Sequence, residues 1–261
     1  MNNFPPKRIV CLTEETVELL YLLGEDNRIV GVTGYAVRPK IARKEKPKIS
    51  SFKSANIEKI IELKPDIILA FSDIQSEIVA NLVKKGQSVL CFNQRDIEGI
   101  FNMIQTICSL LDIKQKGMNL ISKLSDNIHQ IKHKYNKYNR LKVYFEEWND
   151  PLITGLKWVS ELINIAGGED IFHTKSLNEL AKDRIISEED VINANPDIII
   201  GSWCGKKVNF NQIKNRKGWN KINAIKYNKI YEIKSPLILQ PGPAALTDGL
   251  EEIVKILNIS R

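Results

Sequence analysis

The sequence predicts an α/β fold of two similar lobes, each built on a mainly parallel sheet, and three observations carry that reading. A stretch from Ile57 to Phe71, IEKIIELKPDIILAF, is said again at Ser187 to Ser202, SEEDVINANPDIIIGS. In both, a short helix ends ahead of a proline, Pro65 or Pro196, and an aspartate opens a run of β-branched residues. These runs, Ile67 to Leu69 and Ile198 to Ile200, are continuously apolar, as strands covered on both faces require. The copies lie about 130 residues apart, too long a period for a solenoid and right for two α/β lobes.

The remaining elements fall around this signature. A strand is expected over Arg8 to Leu12 and a helix over Glu14 to Leu23, whose Val17, Leu19, Leu20 and Leu23 share a face and which closes on Gly24. A second strand, Ile29 to Thr33, runs to the turn residue Gly34, with Tyr35 in the loop beyond, and a loop from Pro47 to Asn56 carries Phe52. After the first signature come a strand, Ser88 to Phe92, and an amphipathic helix, Asp96 to Leu111. The second half answers with a strand, Lys142 to Phe145, a helix, Trp158 to Ala166, closing on Gly167 and Gly168, a strand, Lys229 to Ile233, and a helix, Thr247 to Leu257. Even the punctuation repeats, Gly24, Glu25, Asp26 matching Gly168, Glu169, Asp170.

Between the halves, Leu120, Ile121, Leu124, Ile128 and Ile131 recur at helical spacing within Lys114 to Tyr138. A helix of about 22 residues there spans roughly 33 Å, enough to join two lobes as a stiff rod. His129 and His133 stand four apart on it, but with Lys132, Lys134 and Lys137 around them they read as a solvated face rather than a metal site. The expected organisation is residues 1–112 as the first lobe, 113–139 as the connecting helix and 140–261 as the second lobe.

Composition excludes several classes. With 43% hydrophobic and 26% charged residues the chain has the balance of a globular protein and not of a disordered one. The net charge of +7 comes from scattered lysines without the interleaved aromatics of a single-strand groove, so nucleic acid is not an expected partner. No segment approaches the length of a membrane span. Cys11, Cys91, Cys108 and Cys204 have no paired spacing, and no secretory leader is visible ahead of Pro5 and Pro6, so a reduced, cytoplasmic protein is expected, with a periplasmic or surface one as the alternative.

The opening RIVCLTEETVELLYLLGEDNRIVGVTGY, the paired KPDIILA and ANPDIIIG stretches and WVSELINIAGGEDIF together resemble the class III substrate-binding proteins. These are the vitamin B12-, ferric-siderophore- and haem-binding proteins that serve importers, and PLITGLKWVSELINIAGGEDIF is most similar to the cobalamin binders. The resemblance covers essentially the whole chain. It implies two Rossmann-like lobes joined by a long α-helix with a ligand cleft between them, a monomer, and cobalamin or a related metal chelate as ligand rather than as catalytic cofactor. A ferric-siderophore or haem ligand is the alternative.

Carried over by position, the resemblance implies a site lined by Thr13, Glu14, Tyr35, Phe52, Ser72 and Asp73 from the first lobe, and by Glu147, Trp148, Asp150, Trp203, Cys204 and Gln240 from the second. A flat macrocycle needs apolar stacking faces, and Trp148 and Trp203 at strand ends suit that need. Cys204, beside Gly205, Lys206 and Lys207, is the single candidate for direct ligation of a bound metal. An importer permease is the partner the family implies. Glu77 stands where a docking acid is called for in the first lobe, whereas Lys206 and Lys207 stand in the second, which argues against docking. The rival from another class is a small-molecule enzyme using Glu147, Asp150 and Cys204, with Glu146 and His173 in support. The sequence holds no GxSxG elbow, P-loop, HExxH or GxGxxG to favour it.

Overall fold

Both copies of the repeat fold as strands of parallel sheets backed by helices, in a computed structural model that describes residues 4–51 and 53–261. The chain divides into two units, one up to Lys123 and one from Leu124 to Arg261, so the division falls inside the connecting helix. That helix runs from Lys114 to Tyr135 and links the two units. Leu124, Ile128 and Tyr135 form its buried stripe, while His129 and His133 lie on the exposed face.

In the first unit the strands β1 (Ile9–Cys11), β2 (Ile29–Thr33), β3 (Lys48–Ser50), β4 (Ile67–Phe71) and β5 (Val89–Phe92) lie in the order β3-β2-β1-β4-β5. All four pairings are parallel. The chain builds outward from β1 in one direction and then, from β4, in the other, so the order reverses between β1 and β4. At such a reversal the connections leave in opposite directions and open a crevice at the strands' carboxyl ends, where α/β sheets take ligands. Val10, Leu12, Ile49, Ile60, Ile68, Ala70, Ile78 and Leu82 fill one face.

The second unit repeats the plan with one change. Strands β6 (Leu141–Asn149), β7 (Leu152–Thr154), β8 (Gly168–Asp170), β9 (Ile198–Gly201) and β10 (Ile230–Glu232) form a sheet ordered β10-β9-β6-β7, with β8 beside the start of β6. All pairs are parallel except β6 with β7. The expected strand Lys142 to Phe145 therefore runs four residues further and turns back as a hairpin, which places Glu147 and Trp148 on the strand rather than in a loop after it. Here the order reverses between β6 and β9. Tyr144, Val191, Ile199, Trp203, Ile213 and Trp219 are among the residues that pack one face.

The duplicated Pro-Asp pairs do the same work twice. Asp66 Oδ2 accepts from the backbone N–H groups of Lys7 at 2.7 Å and Arg8 at 2.9 Å, ahead of β1. Asp197 Oδ2 accepts from Lys142 at 2.9 Å, on β6. Each aspartate thus joins the start of its own strand to the start of the central neighbour. The residues before the prolines are bent into the left-handed region, Lys64 at φ 47° and Asn195 at φ 46°, which is not the extended geometry the rule for such positions favours. Asn195 sits there as the end of its helix, a position where asparagine is tolerated. Glycine ends the other matched pair, Gly24 at φ 70° and Gly167 at φ 81°. The last helix, Leu250–Ser260, is entered through a π-helical turn at Ala245–Gly249, later than the start expected at Thr247. No helix among the described residues is long and apolar enough to cross a membrane.

Candidate functional site

At the β1/β4 reversal the first unit brings together four of the predicted residues. Thr13 and Glu14 follow β1, and Ser72 and Asp73 follow β4. Gln75, which no local pattern singles out, ties the two strand ends: its Nε2 donates to the Leu12 carbonyl at 3.1 Å and its Oε1 accepts from the Phe71 N–H at 3.0 Å. Ser72 takes φ 58°, ψ −178°, a conformation nearly confined to glycine, and its N–H donates to the Phe92 carbonyl at 2.7 Å. Asp73 is exposed and pairs with Arg95 at 2.8 Å. Tyr35 is exposed after β2, next to β1 in the sheet. Phe52 lies outside the described residues.

Carboxylates crowd the start of the helix after β1. Glu15 is 1% exposed and neither of its carboxylate oxygens has a hydrogen-bond partner of normal geometry. Burial pushes its carboxyl up to about 7, with the nearby Thr13 hydroxyl drawing it partway down and the charge of Glu18 adding to the rise. Burial, with the charge of Glu15 next, pushes Glu14 up to about 8. Glu18 is paired with Arg38 at 2.9 Å.

The β6/β9 reversal of the second unit is organised by two arginines that no local pattern pairs with their partners. Glu146 is completely buried and accepts from Arg216 Nη1 at 2.5 Å and Nη2 at 2.9 Å, and from the Trp203 indole N–H at 3.0 Å. Arg216 also lies 4.4 Å from the Trp219 ring centroid. One residue on, Glu147 is ion-paired with Arg184, itself buried and donating to the Thr154 carbonyl at 2.5 Å. The neighbouring acids use different partners, at the point where the register of β6 against β7 shifts. Glu146 and the buried Tyr144 phenol interact, and burial first, then that charge, raises the phenol well above its usual range.

The two tryptophans differ. Trp203 is 3% exposed and belongs to the core, whereas Trp148 is half-buried at its edge, its indole N–H donating to the Asp150 carbonyl at 2.9 Å. Lys206 Nζ lies 4.0 Å from the Trp148 ring centroid and 5.0 Å from that of Trp203, and donates to Asn149 Oδ1 at 2.6 Å. Asp150 and Cys204 are exposed, and Gln240 is half-buried with its carbonyl accepting from Gly242 at 2.8 Å. Cys91 is also exposed, whereas Cys11 and Cys108 are buried. Burial pushes the Cys11 thiol up to about 12 and the Cys108 thiol up to about 11. Among the described residues no group of three or more His, Cys, Asp or Glu side chains is placed to hold a metal. The residues suggested for an enzyme are engaged separately, Glu147 by Arg184 and His173 by the Ser160 hydroxyl at 3.1 Å.

A family model described as periplasmic binding protein matches residues 9–237. The chain belongs to that family. It is 28% identical, over 96% of its length and 79% of the relative's, to an uncharacterized ABC transporter substrate-binding lipoprotein of Bacillus subtilis, YvrC. It is 25% identical, over 100% of its length and 93% of the relative's, to a vitamin B12-binding protein of Vibrio parahaemolyticus. Among solved structures, a candidate iron-binding, periplasmic solute-binding protein of Staphylococcus epidermidis superposes with a TM-score of 0.83 at 25% identity, covering 97% of this chain and 99% of the other. These relatives overturn the expectation of a cytoplasmic protein, since they are named as a lipoprotein and as a periplasmic protein. That expectation leaned on the absence of a leader and of paired cysteine spacing, and an absence carries no physical signal.

Proposed function

We propose that this chain is a non-catalytic substrate-binding protein for a cobalamin-like or other metal-chelate ligand, working outside the cytoplasm as a component of an ABC importer. The observation that carries the reading is the placement of Thr13, Glu14, Ser72 and Asp73 at the order reversal of one sheet and of Glu147, Trp148, Asp150 and Cys204 at that of the other, where such sheets take ligands. Thr13, Glu14, Tyr35, Ser72 and Asp73 in the first unit and Glu147, Trp148, Asp150, Cys204 and Gln240 in the second are the residues proposed to serve it, with Trp203 backing them from the core and Phe52 proposed from the family resemblance alone. Relatives named for vitamin B12 binding and for ABC transport support the ligand class and the partner. The pairing of Glu146 and Glu147 with arginines supports binding over catalysis, because a carboxylate held in an ion pair is a poor general base.

Absorbance titration with cyanocobalamin, haemin and a ferric tris-catecholate chelate tests the reading. A saturable one-to-one spectral change with one of them, without turnover, is expected. No change with any of the three overturns it.

A further inference from the structure

We propose that Lys206 selects the ligand, its clamped ammonium taking an oxyanion of an anionic metal chelate. The inference rests on the proposed binding function and names the chemistry of the group recognised.

Lys206 is exposed, yet its ammonium is held from three sides, by the faces of Trp148 and Trp203 and by the amide oxygen of Asn149. An exposed lysine ordinarily ranges over many rotamers, and a fixed one is a cation organised in advance. Local structure explains the hold. The β6–β7 hairpin sets Trp148 and Asn149 side by side, and the turn after β9, with Gly205 at φ 73° and the Lys206 N–H donating to the Trp203 carbonyl at 3.3 Å, folds the lysine back over the second indole.

The charge is not cancelled there. Both glutamates of β6 are consumed by Arg216 and Arg184, and no carboxylate among the described residues pairs with Lys206. Asp150 is the remaining acid of the hairpin; it is exposed, and the Trp148 indole bonds to its backbone carbonyl rather than to its carboxylate. Lys207 adds a second exposed cation next in the chain. An ammonium has three hydrogens to donate, and Asn149 uses one. The indole faces bind its charge, not its hydrogens. Donor capacity therefore remains for an oxyanion, and a neutral macrocycle seeking bare indole faces meets an ammonium instead. Carboxylates on a tetrapyrrole rim and catecholate oxygens on an iron chelate share this chemistry.

The test compares wild type, Lys206→Met and Lys206→Arg by absorbance and fluorescence titration with haemin, with ferric tris-catecholate and with cyanocobalamin, at two salt concentrations. Wild type is expected to prefer one of the two anionic probes, which tells the sources apart. Lys206→Met should weaken that probe by roughly tenfold or more and flatten its salt dependence, the usual scale for a lost charge-assisted contact. Lys206→Arg should retain most of the affinity, and Lys206→Met, which bares both indole faces, should not weaken cyanocobalamin. Preference of the wild type for cyanocobalamin, or an equal loss with every probe in Lys206→Met, overturns the selection role while leaving the binding function standing. Binding of none of the probes overturns both.

Discussion

Arg216 meets Glu146 through two hydrogen bonds, at 2.5 Å and 2.9 Å, with the carboxylate wholly removed from solvent. Such a pair is held because both ends are satisfied, and removing one end strands the other. Arg216→Ala should therefore cost about 3–5 kcal/mol of unfolding free energy, whereas Glu146→Leu combined with Arg216→Met should cost less than the single change. Urea unfolding of the three variants checks this, and a double variant no more stable than Arg216→Ala would contradict it.

Burial separates the two indoles that the sequence placed together as stacking faces. Trp203→Ala removes a 3% exposed ring and its hydrogen bond to Glu146, so a loss of about 3–5 kcal/mol is expected, visible as a lowered unfolding midpoint. Trp148→Ala should leave the circular dichroism spectrum unchanged and weaken ligand binding several-fold, through about 0.5–1.5 kcal/mol of aromatic contact and a less firmly held Lys206.

Glu15 should make stability fall as pH rises. Its folded carboxyl is pushed up to about 7, above the unfolded value of about 4.3, so the folded chain holds a proton that the unfolded chain releases. The loss begins above the unfolded value and is complete above the folded one, with a size on the order of a few kcal/mol. Glu15→Gln should lessen the fall of urea midpoints between pH 5 and pH 8.5 and raise the one at pH 8.5, the remaining fall belonging to Glu14, pushed up to about 8. An unaltered pH profile in this variant would count against the assignment.

Asp66 and Asp197 should prove equivalent in kind though not in degree. Asp66→Ala strips two backbone N–H groups of their acceptor and Asp197→Ala strips one. These bonds are exposed and water can take the place of the carboxylate, so losses of about 0.5–1.5 kcal/mol are expected, larger for Asp66, measured by thermal unfolding.

These two aspartates also show why so much of the fold was legible. A helix stopped by proline, then an acid, then an apolar run is a local pattern, and it marked β4 and β9 to the residue at which each begins. The connecting helix was equally plain from its spacing. Strands β3 and β8 were missed because Lys48-Ile49-Ser50 and Gly168-Glu169-Asp170 carry no apolar run and read as loop and turn. The β6–β7 hairpin escaped for another reason, since Asp150-Pro151 is not among the turn pairs that announce one. At the candidate site the strand ends were readable, but the places of Arg184, Arg216 and Lys206 were not, because an arginine reaching a glutamate 37 or 70 residues away is a product of the folded chain alone. Lys206 was noticed only as a charge of the wrong sign.

The cysteines give each unit a handle. Cys11 and Cys108 are buried with thiols held protonated, and the exposed pair divides evenly, Cys91 in the first unit and Cys204 in the second. Thiolate formation and access govern alkylation, so a maleimide dye should stop at two labels on the folded protein and reach four only after unfolding. A donor and acceptor fluorophore attached in this way need no engineered site, and their energy transfer would register any ligand-driven motion of one unit against the other directly on the natural sequence.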